Sequence, residues 1–420
     1  MIRSVKGTRD ILPPSSAIWN HVEEQARRVF RAYNYQEIRT PIFEETLVFA
    51  RGVGEDTDIV TKEMYTFQDR DGASLTLRPE CTASVIRAYI EHRLDQQPGL
   101  VKLYYMGPMF RRERPQKGRY RQFYQIGAEA IGSESPAVDA EVIELTAEIL
   151  CAAGLANFEL LLNSVGCPAC RPQFTSALRD ALQDVSKRLC SDCRRRAQTN
   201  PLRVLDCKVE ADQPVIETLP SILDYLCEAC RIHFLKVQEY LRDRAIPFQI
   251  RPRLVRGLDY YRRTTFEIVH GALGAQNAVA GGGRYDGLAE TLGSKVPAPG
   301  IGFSIGEDRL VLALEETQSG GHAPAVDLFI APLGEAAFRQ VAPLARTLRR
   351  RGLVVELAPE ARLKRALELA HKFGARYALI VGDEELAAGR YALRDMGSGQ
   401  QRPVAPEELY ESVKANVPHA

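Results

Sequence analysis

Two groups of strand-like segments, separated by a long stretch of different character, constrain the fold of this chain more than any other feature. The first group lies at 74–78, 101–111 and 121–131, where aromatic and branched residues stand between turn signals. Strand-like character is lost at Cys167 and resumes only after Arg244. Because strands that follow one another in sequence usually pair in space, we predict one antiparallel sheet interrupted by a helical insertion.

A region of a third kind follows residue 325. Strand-like and helical segments alternate there, beginning with VDLFIAP and a helical stretch from Glu335 to Arg350. This order predicts a small three-layer α/β domain with a mainly parallel sheet. The small, polar stretch before it is typical of a linker. The predicted segments are the sheet domain, first part, 1–165; the helical insertion, 166–246; the sheet domain, second part, 247–318; the linker, 319–325; and the α/β domain, 326–420.

Composition indicates a chain of several globular domains. Of its 420 residues, 45% are apolar and 26% are charged, which supplies material for more than one buried core. The 55 basic side chains nearly cancel the 54 acidic ones, so nucleic-acid binding must be argued from local patches. The first residues have no apolar signal-peptide core, and no apolar run reaches the roughly 18 residues of a membrane span. We expect a cytoplasmic protein that does not contact a membrane.

The densest basic patch lies at 110–132, where arginines and a lysine surround a predicted turn, RPQKGR, between two predicted strands. Guanidinium groups held on such a hairpin match phosphate oxygens bidentately. The alternative is a basic hairpin that is exposed to solvent and binds no phosphate. Neighbouring segments of the sequence decide between these two interpretations. Those segments are LTLRPECT, RLVRGLDYYRRTTFE and GFSIGEDRL. Their polar and aromatic side chains include Glu80, Thr82, Arg256, Asp259, Tyr260, Tyr261 and Arg309.

Together these segments resemble the signature of the histidyl-tRNA synthetases, a family of class II aminoacyl-tRNA synthetases. The resemblance covers nearly the whole chain, from GTRDILPP through FRRERPQKGRYRQF, LVRGLDYY, GGRYDGL and GFSIGEDRL to the C-terminal domain. It implies an α+β catalytic domain with an antiparallel sheet, a helical insertion, a C-terminal α/β anticodon-binding domain and a homodimer. The chain departs from the family pattern at Cys81, where glycine is usual, and at Tyr124, where histidine is usual.

The resemblance implies a reaction in two steps. ATP first activates L-histidine as histidyl-adenylate with release of pyrophosphate, and the histidyl group then passes to the terminal ribose of tRNA(His). Such chemistry asks for positioning and for stabilisation of charge on phosphate oxygens, not for a protein nucleophile. By family resemblance, the catalytic residues Arg111 and Arg256 hold the α-phosphate, Arg309 lies by the adenine and γ-phosphate, and Glu113 lies by the adenine. Mg²⁺ bridges the ATP phosphates.

The resemblance also implies a pocket for histidine. Besides the two catalytic arginines, the residues expected to contact histidine are Glu80, Thr82, Gln125, Glu129, Tyr260, Tyr261 and Tyr285. The first three are expected at the amino group and the others at the ring. A carboxylate and a phenol can pair with the two polar edges of an imidazole, which supports discrimination against analogues that lack a ring nitrogen. Gln116 and Arg119 are expected to contact tRNA, Gln116 near the extra 5′ guanosine, and residues 326–420 to meet the anticodon.

Three CxxC pairs lie in the predicted insertion. If Arg171 to Leu189 is an outgoing helix and Ile222 to Leu241 a returning one, the second and third pairs meet at the distal end. The first pair, Cys167/Cys170, then stays about 25 Å away along the helix. The prediction is a structural Zn²⁺ on Cys190, Cys193, Cys227 and Cys230. Reduced thiols without a metal are the open alternative.

Two other functions compete with a synthetase. A paralogue that acts as the non-catalytic regulatory subunit of ATP phosphoribosyltransferase should lack the C-terminal domain and parts of the signature, and both are present here. An RNA-binding module that uses only the basic hairpin would need neither Glu80 nor the RGLDYY segment. We therefore predict a catalytically active synthetase of this family.

Overall fold

The computed structural model of the chain describes residues 2–55, 57–274, 277–317, 326–359 and 362–414. They belong to two compact units, Met1–Gly321 and His322–Ala420. The predicted linker at 319–325 lies outside the described residues. None of the helices in the described ranges has both the length and the apolar character needed to cross a membrane.

An eight-stranded sheet forms the centre of the first unit. Its six inner strands pair antiparallel, and a two-residue strand pairs in parallel at each edge. In spatial order the strands are β1 (Gln36–Glu37), β5 (Val101–Phe110), β6 (Gln122–Ile131), β11 (Gly300–Gly306), β10 (Ala278–Arg284), β9 (Arg262–Val269), β7 (Glu159–Ser164) and β8 (Gln249–Ile250). Since β6 pairs with β11, strands from before and after the insertion share one sheet, as predicted. The predicted strand at 74–78 does not belong to it, because that segment pairs within a separate small sheet.

Helices cover both faces of this sheet, and a small separate sheet lies beside it. The helices outside the insertion are α1 (Ser15–Ala32), α2 (Thr46–Val53), α3 (Thr82–Glu91), α4 (Pro136–Ala152), α9 (Leu288–Thr291) and α10 (Glu307–Glu316). The small sheet is antiparallel, in the order β2 (Phe43–Glu45), β4 (Ser74–Leu77) and β3 (Tyr65–Gln68). The helical spacing of the buried Trp19, Val22, Ala26 and Phe30 explains why α1 forms and which face it buries.

The insertion has an apolar core of its own. Its helices are α5 (Arg171–Val185), α6 (Ser191–Thr199), α7 (Gln213–Ile216) and α8 (Glu228–Asp243). Phe174 and Leu178 of α5 pack there against Val204 and Ile216, whereas Val237 of α8 lies in the main core, and α8 packs on α4. The returning helix therefore begins at Glu228 and not at Ile222, where the chain forms a single 3-10 turn.

The second unit is a three-layer α/β domain. Its strands lie in the order β13 (Val355–Leu357), β12 (Leu328–Pro332), β14 (Tyr377–Val381), β15 (Tyr391–Asp395) and β16 (Gln401–Val404). The helices α11 (Glu335–Arg350), α13 (Asp383–Ala388) and α14 (Leu409–Lys414) pack on one face, and α12 (Leu363–Lys372) packs on the other. The sheet is mixed, so the predicted mainly parallel sheet is wrong. Asp395 accepts hydrogen bonds from the backbone of Gly397 and Ser398, and this turn folds β16 back antiparallel to β15.

A fully buried ion pair joins the elements of the first unit. The carboxylate of Asp139 on α4 accepts hydrogen bonds from Arg284 on β10 and from the hydroxyl of Thr264 on β9 at 2.6 Å. His233 Nε2 of α8 lies 2.8 Å from the same carboxylate. Burial opposes ionisation, yet His233 and the Arg284 guanidinium hold the pKa of Asp139 below its usual range. Two helices and two strands are thereby fixed to one another.

We predict that Arg284→Met lowers the free energy of unfolding of this unit by about 3–5 kcal/mol, because Asp139 is left as a buried charge without its guanidinium. The single tryptophan, Trp19, is buried in the same core, so its fluorescence during urea unfolding measures the loss. Arg195→Met is the control, since its ion pair with Asp192 is exposed and contributes less than about 1 kcal/mol. Equal effects of the two substitutions would contradict the prediction.

Candidate active site

Side chains from distant parts of the first unit line a cavity of about 680 Å³. The β5–β6 hairpin, β10, the Gly306 end of β11 and the start of α10 all contribute to its wall. Six of the residues predicted to bind ATP, histidine or tRNA line it: Arg111, Glu113, Arg119, Gln125, Arg256 and Arg309. Three arginines from separate segments of the sequence thus share one cavity, which is an arrangement suited to a polyphosphate.

Each of these arginines is held by a neighbouring group. Arg111 Nε donates to the carbonyl of Pro79 at 2.9 Å, and its guanidinium lies over the ring of Phe123 at 5.3 Å. Arg256 Nη1 donates to Glu267 Oε2 at 2.5 Å, and Arg309 Nε donates to a backbone carbonyl of β10. Side chains fixed in this way lose little further freedom when a ligand binds.

Acidic groups balance only part of the positive charge in the cavity. Glu113 lies 3.7 Å from Arg111 and 3.0 Å from Arg119, so one carboxylate serves two guanidinium groups. Burial, with the Arg119 charge adding to it, lowers the pKa of Arg309 to about 10. An anion in the cavity would relieve the cost of holding these cations close together.

A glycine in β10 makes room for the Arg256 guanidinium. A Cβ at Gly281 would lie 2.3 Å from Arg256 Nη1, which is far inside van der Waals contact. Glycine weakens a strand, so its presence at a buried strand position marks a close approach. A side chain at residue 281 would therefore displace the Arg256 guanidinium from its position against β10.

The remaining predicted histidine-binding residues form a buried cluster. Its members are Glu80, Thr82, Glu129, Tyr260, Tyr261 and Tyr285, all at most 9% exposed. The backbone N–H and the hydroxyl of Thr82 donate to Glu80 Oε2 at 2.8 Å and to Glu129 Oε1 at 2.7 Å. Tyr260 OH donates to Glu80 Oε2 at 3.3 Å, and its ring packs on Tyr261 with centroids 4.7 Å apart. Carboxylates and phenols thus meet in one place, as the recognition of an imidazole requires.

Glu129 is the most strongly buried acid of this cluster. It is 0% exposed on β6, and burial raises its pKa to about 8. Gly302 of β11 stands directly opposite, and a Cβ there would lie 1.8 Å from Glu129 Oε2. A carboxyl group so poorly solvated is ready to pair with a ligand that carries positive charge or N–H donors.

Of Gln116 and the two positions that depart from the family pattern, only Tyr124 lines the cavity. Gln116 forms a bridge with Arg119 at the exposed tip of the hairpin and does not line the cavity. Cys81 is buried before α3, with its sulfur 3.4 Å from the Thr40 hydroxyl. The ring of Tyr124 packs edge-on against Trp19.

Several residues of the site were not predicted. Glu267 holds Arg256, and the buried Tyr105 adds a fourth tyrosine near Glu129, where burial raises its pKa well above the usual value. Arg9 donates to Asp308 at 2.8 Å and lies over the ring of Tyr120, which lines the cavity. The alternation of β5 and β9 could have suggested Tyr105 and Glu267, but Arg9 has no local signal.

The predicted zinc ligand set is wrong. Cys190/Cys193 and Cys227/Cys230 do not come together; within the described residues, each pair has other partners. One group, here called the base site, consists of Cys167, Cys170, Cys227 and Cys230. The other, here called the lobe site, consists of Cys190, Cys193, Cys207 and Asp212. The cause is the late start of α8, which puts Cys227 beside Cys167 where the insertion leaves the sheet domain.

Comparisons with known proteins agree with this geometry. Residues 7–310 match the family model of histidyl-tRNA synthetase, and residues 327–416 match that of the anticodon binding domain. A histidine–tRNA ligase of Solibacter usitatus is 70% identical over 97% of this chain and 98% of its own length. One of Koribacter versatilis is 56% identical over 97% of this chain and 95% of its own.

Solved structures give the same result. The crystal structure of apo S. aureus histidyl-tRNA synthetase matches with a TM-score of 0.81 and 39% identity, over 99% of this chain and all of that one. An ATP phosphoribosyltransferase regulatory subunit/histidyl-tRNA synthetase from Bacillus halodurans matches at 22% identity with a TM-score of 0.66, over 91% of this chain and 98% of that one, which shows the fold alone. The predicted fold class and enzyme class are confirmed, and the regulatory alternative is not favoured. The chain belongs to the histidyl-tRNA synthetase family.

Proposed function

We propose that this chain activates L-histidine with ATP and transfers it to tRNA(His). The observation that carries the proposal is the shared cavity of Arg111, Arg256 and Arg309 in a chain that also buries carboxylates and phenols together. The arginines suit the phosphates of ATP, and the buried cluster suits an imidazole. The family to which the chain belongs supports the same pair of substrates.

In this proposal Arg111 and Arg256 are the catalytic residues. They hold the α-phosphate while the histidine carboxylate attacks it, and they stabilise the charge that develops on its oxygens. Arg309 and Glu113 bind the rest of the nucleotide. Mg²⁺, which prefers oxygen ligands and phosphates, supplies further neutralisation when ATP is bound.

Histidine would lie between the cavity and the buried cluster. Glu129, Tyr260 and Tyr261 are proposed to read the ring, with help from Tyr285. Glu80, Thr82 and Gln125 are proposed to bind the amino group. Both oxygens of Glu80 already accept hydrogen bonds from the backbone at the start of α3, so this carboxylate also orients Thr82.

Further parts of the proposal concern partners and location. Gln116 and Arg119, at the hairpin, would contact tRNA, and residues 326–420 would bind the anticodon. We further propose that the protein is a cytoplasmic homodimer, as the family resemblance implies. A structural Zn²⁺ in the insertion stays part of the proposal, with ligands other than the four first predicted.

The direct test is ATP–pyrophosphate exchange with each of the twenty standard amino acids. We expect exchange with histidine and with none of the others, because only an imidazole satisfies the buried acids and phenols together. Transfer to tRNA(His) is measured in the same preparation. Exchange with another amino acid but not with histidine, or none at all as expected of a regulatory paralogue, would overturn the proposal.

Gly281→Ala is predicted to lower kcat/KM for histidine-dependent exchange by about 10²-fold, because the added methyl group displaces the Arg256 guanidinium from the α-phosphate. Arg256→Gln should cause a similar loss without touching the strand. The control is Gly271→Ala, where an added Cβ meets nothing within 4 Å. A Gly281→Ala protein that keeps full activity and unfolds like the unsubstituted chain would exclude this role of Arg256.

Glu129→Gln is predicted to gain stability relative to the unsubstituted chain as the pH rises from about 5 to 8. Burial raises the native pKa from 4.5 to about 8, so in this range the native carboxyl stays protonated while the unfolded one ionises. The unfolded state is therefore favoured as pH rises, by on the order of a few kcal/mol in total. Trp19 fluorescence in urea measures the difference, and Glu24→Gln, at an exposed position of α1, is the control. A pH-independent difference would show that Glu129 is ionised in the native state.

A further inference from the structure

Eight side chains of the insertion form two compact groups of sulfur and oxygen donors. In the base site and in the lobe site, all four donor atoms lie within 4.8 Å of one another. Five of the eight residues are at most 6% exposed, and the other three, Cys167, Cys190 and Cys227, are partly buried. Such a spacing leaves room for one ion at the centre of each group and not for a larger cluster.

We propose that the insertion of this chain holds two structural Zn²⁺ ions, one in the base site and one in the lobe site. The proposal differs from the sequence prediction in the number of ions and in the ligands of each. It adds Cys207 and Asp212 as ligands, and it joins the first CxxC pair to the third.

The sulfur atoms of the base site are spaced as the corners of a zinc tetrahedron. Zinc binds thiolates at about 2.3 Å, which places two sulfurs of one tetrahedron about 3.8 Å apart. The Sγ atoms of Cys167 and Cys227 are 3.8 Å apart, those of Cys167 and Cys170 are 3.7 Å apart, and those of Cys170 and Cys230 are 3.9 Å apart. A disulfide would need about 2.05 Å. These cysteines are therefore arranged around a point and not as bonded pairs.

The lobe site has the same character with one carboxylate. Asp212 is 2% exposed, and its Oδ2 lies 3.3 Å from Cys207 Sγ, close to the roughly 3.5 Å expected for neighbouring sulfur and oxygen ligands of zinc. Both oxygens of Asp212 also accept from the backbone N–H of Cys190, at 3.0 and 3.1 Å. Such second contacts orient a ligating carboxylate.

Backbone N–H groups point at sulfur atoms in both sites. The N–H of Cys167 points to Cys170 Sγ at 3.1 Å, that of Cys193 to Cys190 Sγ at 3.5 Å, and that of Val209 to Cys207 Sγ at 3.4 Å. Hydrogen bonds to sulfur lower the cost of the negative charge that a metal ligand must carry. Zn²⁺ accepts both donor sets, four thiolates or three thiolates and one carboxylate.

The base site lies next to the tyrosine cluster of the proposed active site, and the lobe site lies at its nucleotide cavity. Arg171 follows the base-site residue Cys170, and its Nη2 donates to the backbone carbonyl of Tyr261 at 2.5 Å. In the lobe site, Cys190 and Cys207 themselves line the cavity that contains the three arginines. The base-site ion would thus support the tyrosine cluster, and the lobe-site ion would support the insertion side of the nucleotide cavity.

Metal content of the full-length chain tests the proposal directly. The protein is purified under reducing conditions without a metal-affinity column. Its zinc content per chain is then measured by inductively coupled plasma mass spectrometry. We expect two zinc ions per chain, one after Cys227→Ser or Cys193→Ser, and two after Cys151→Ser, which alters an exposed cysteine outside both groups. A chain that carries no zinc and takes up none from added Zn²⁺, or that carries iron in its place, would overturn the proposal.

Asp212→Cys gives a test that does not depend on losing a ligand. Seven thiolates become eight, so in the Co²⁺-substituted protein the sulfur-to-cobalt charge-transfer absorption should rise in the ratio of eight to seven. The lobe site keeps its ion, and the fold is preserved. Unchanged absorption with both ions bound would show that residue 212 is not a ligand.

A kinetic readout separates the two sites and rests on the proposed function. In histidine-dependent exchange, Cys227→Ser should raise KM for histidine several-fold more than KM for ATP, and Cys193→Ser should do the reverse. Equal changes would contradict the separate roles. The metal counts need no substrate, so a chain with two zinc ions and no exchange would refute the proposed function and leave the metal sites standing.

Discussion

The buried ion pair between Asp139 and Arg284 is the interaction on which the arrangement of the first unit depends. Both side chains are fully buried, and charges in an apolar core are tolerated only when all their partners are in place. Those partners come from α4, α8, β9 and β10. Since Tyr285 directly follows Arg284, the same contact fixes one wall of the tyrosine cluster.

Two glycines, which have no side chain, make room for charged or polar groups of the candidate site. Arg256 approaches β10 where Gly281 has no Cβ, and Glu129 faces β11 where Gly302 has none. The guanidinium group of Arg256 and the carboxyl group of Glu129 in this way lie directly against the backbone of the sheet. Fixed guanidinium and carboxyl groups in such a setting act on a bound ligand more strongly than they would in solvent.

The insertion belongs to the site although it interrupts the sheet domain in sequence. Arg196 and Arg203 of the insertion both pair with Asp58 of the sheet domain, at 3.3 and 3.2 Å. Lys208 and Arg196 line the cavity together with the hairpin arginines. The cavity wall is therefore shared between two folding regions, and whatever orders the insertion also shapes the nucleotide side of the site.

Local patterns in the sequence were sufficient for the elements and for the residue types of the site. The periodicity of α1, the paired strands β5 and β6 around a Lys117–Gly118 turn, and the signature segments all depend on neighbours in the chain, so they can be read from it. The family, and with it the enzyme class, follows from those segments. The mixed sheet of the second unit was missed because β15 pairs antiparallel with β14, and the turn after Asp395 then adds β16 antiparallel to β15.

Tertiary structure alone decided which distant groups meet. The partners of Cys227 depend on where α8 begins, and those of Cys190 depend on how the insertion folds back to Asp212. No CxxC spacing encodes either arrangement. The pairing of Arg256 with Glu267 and of Arg9 with Asp308 likewise depends on the register of strands and on chain crossings. A sequence determines the chemistry available at each position, whereas contacts between remote segments arise only from packing the whole core.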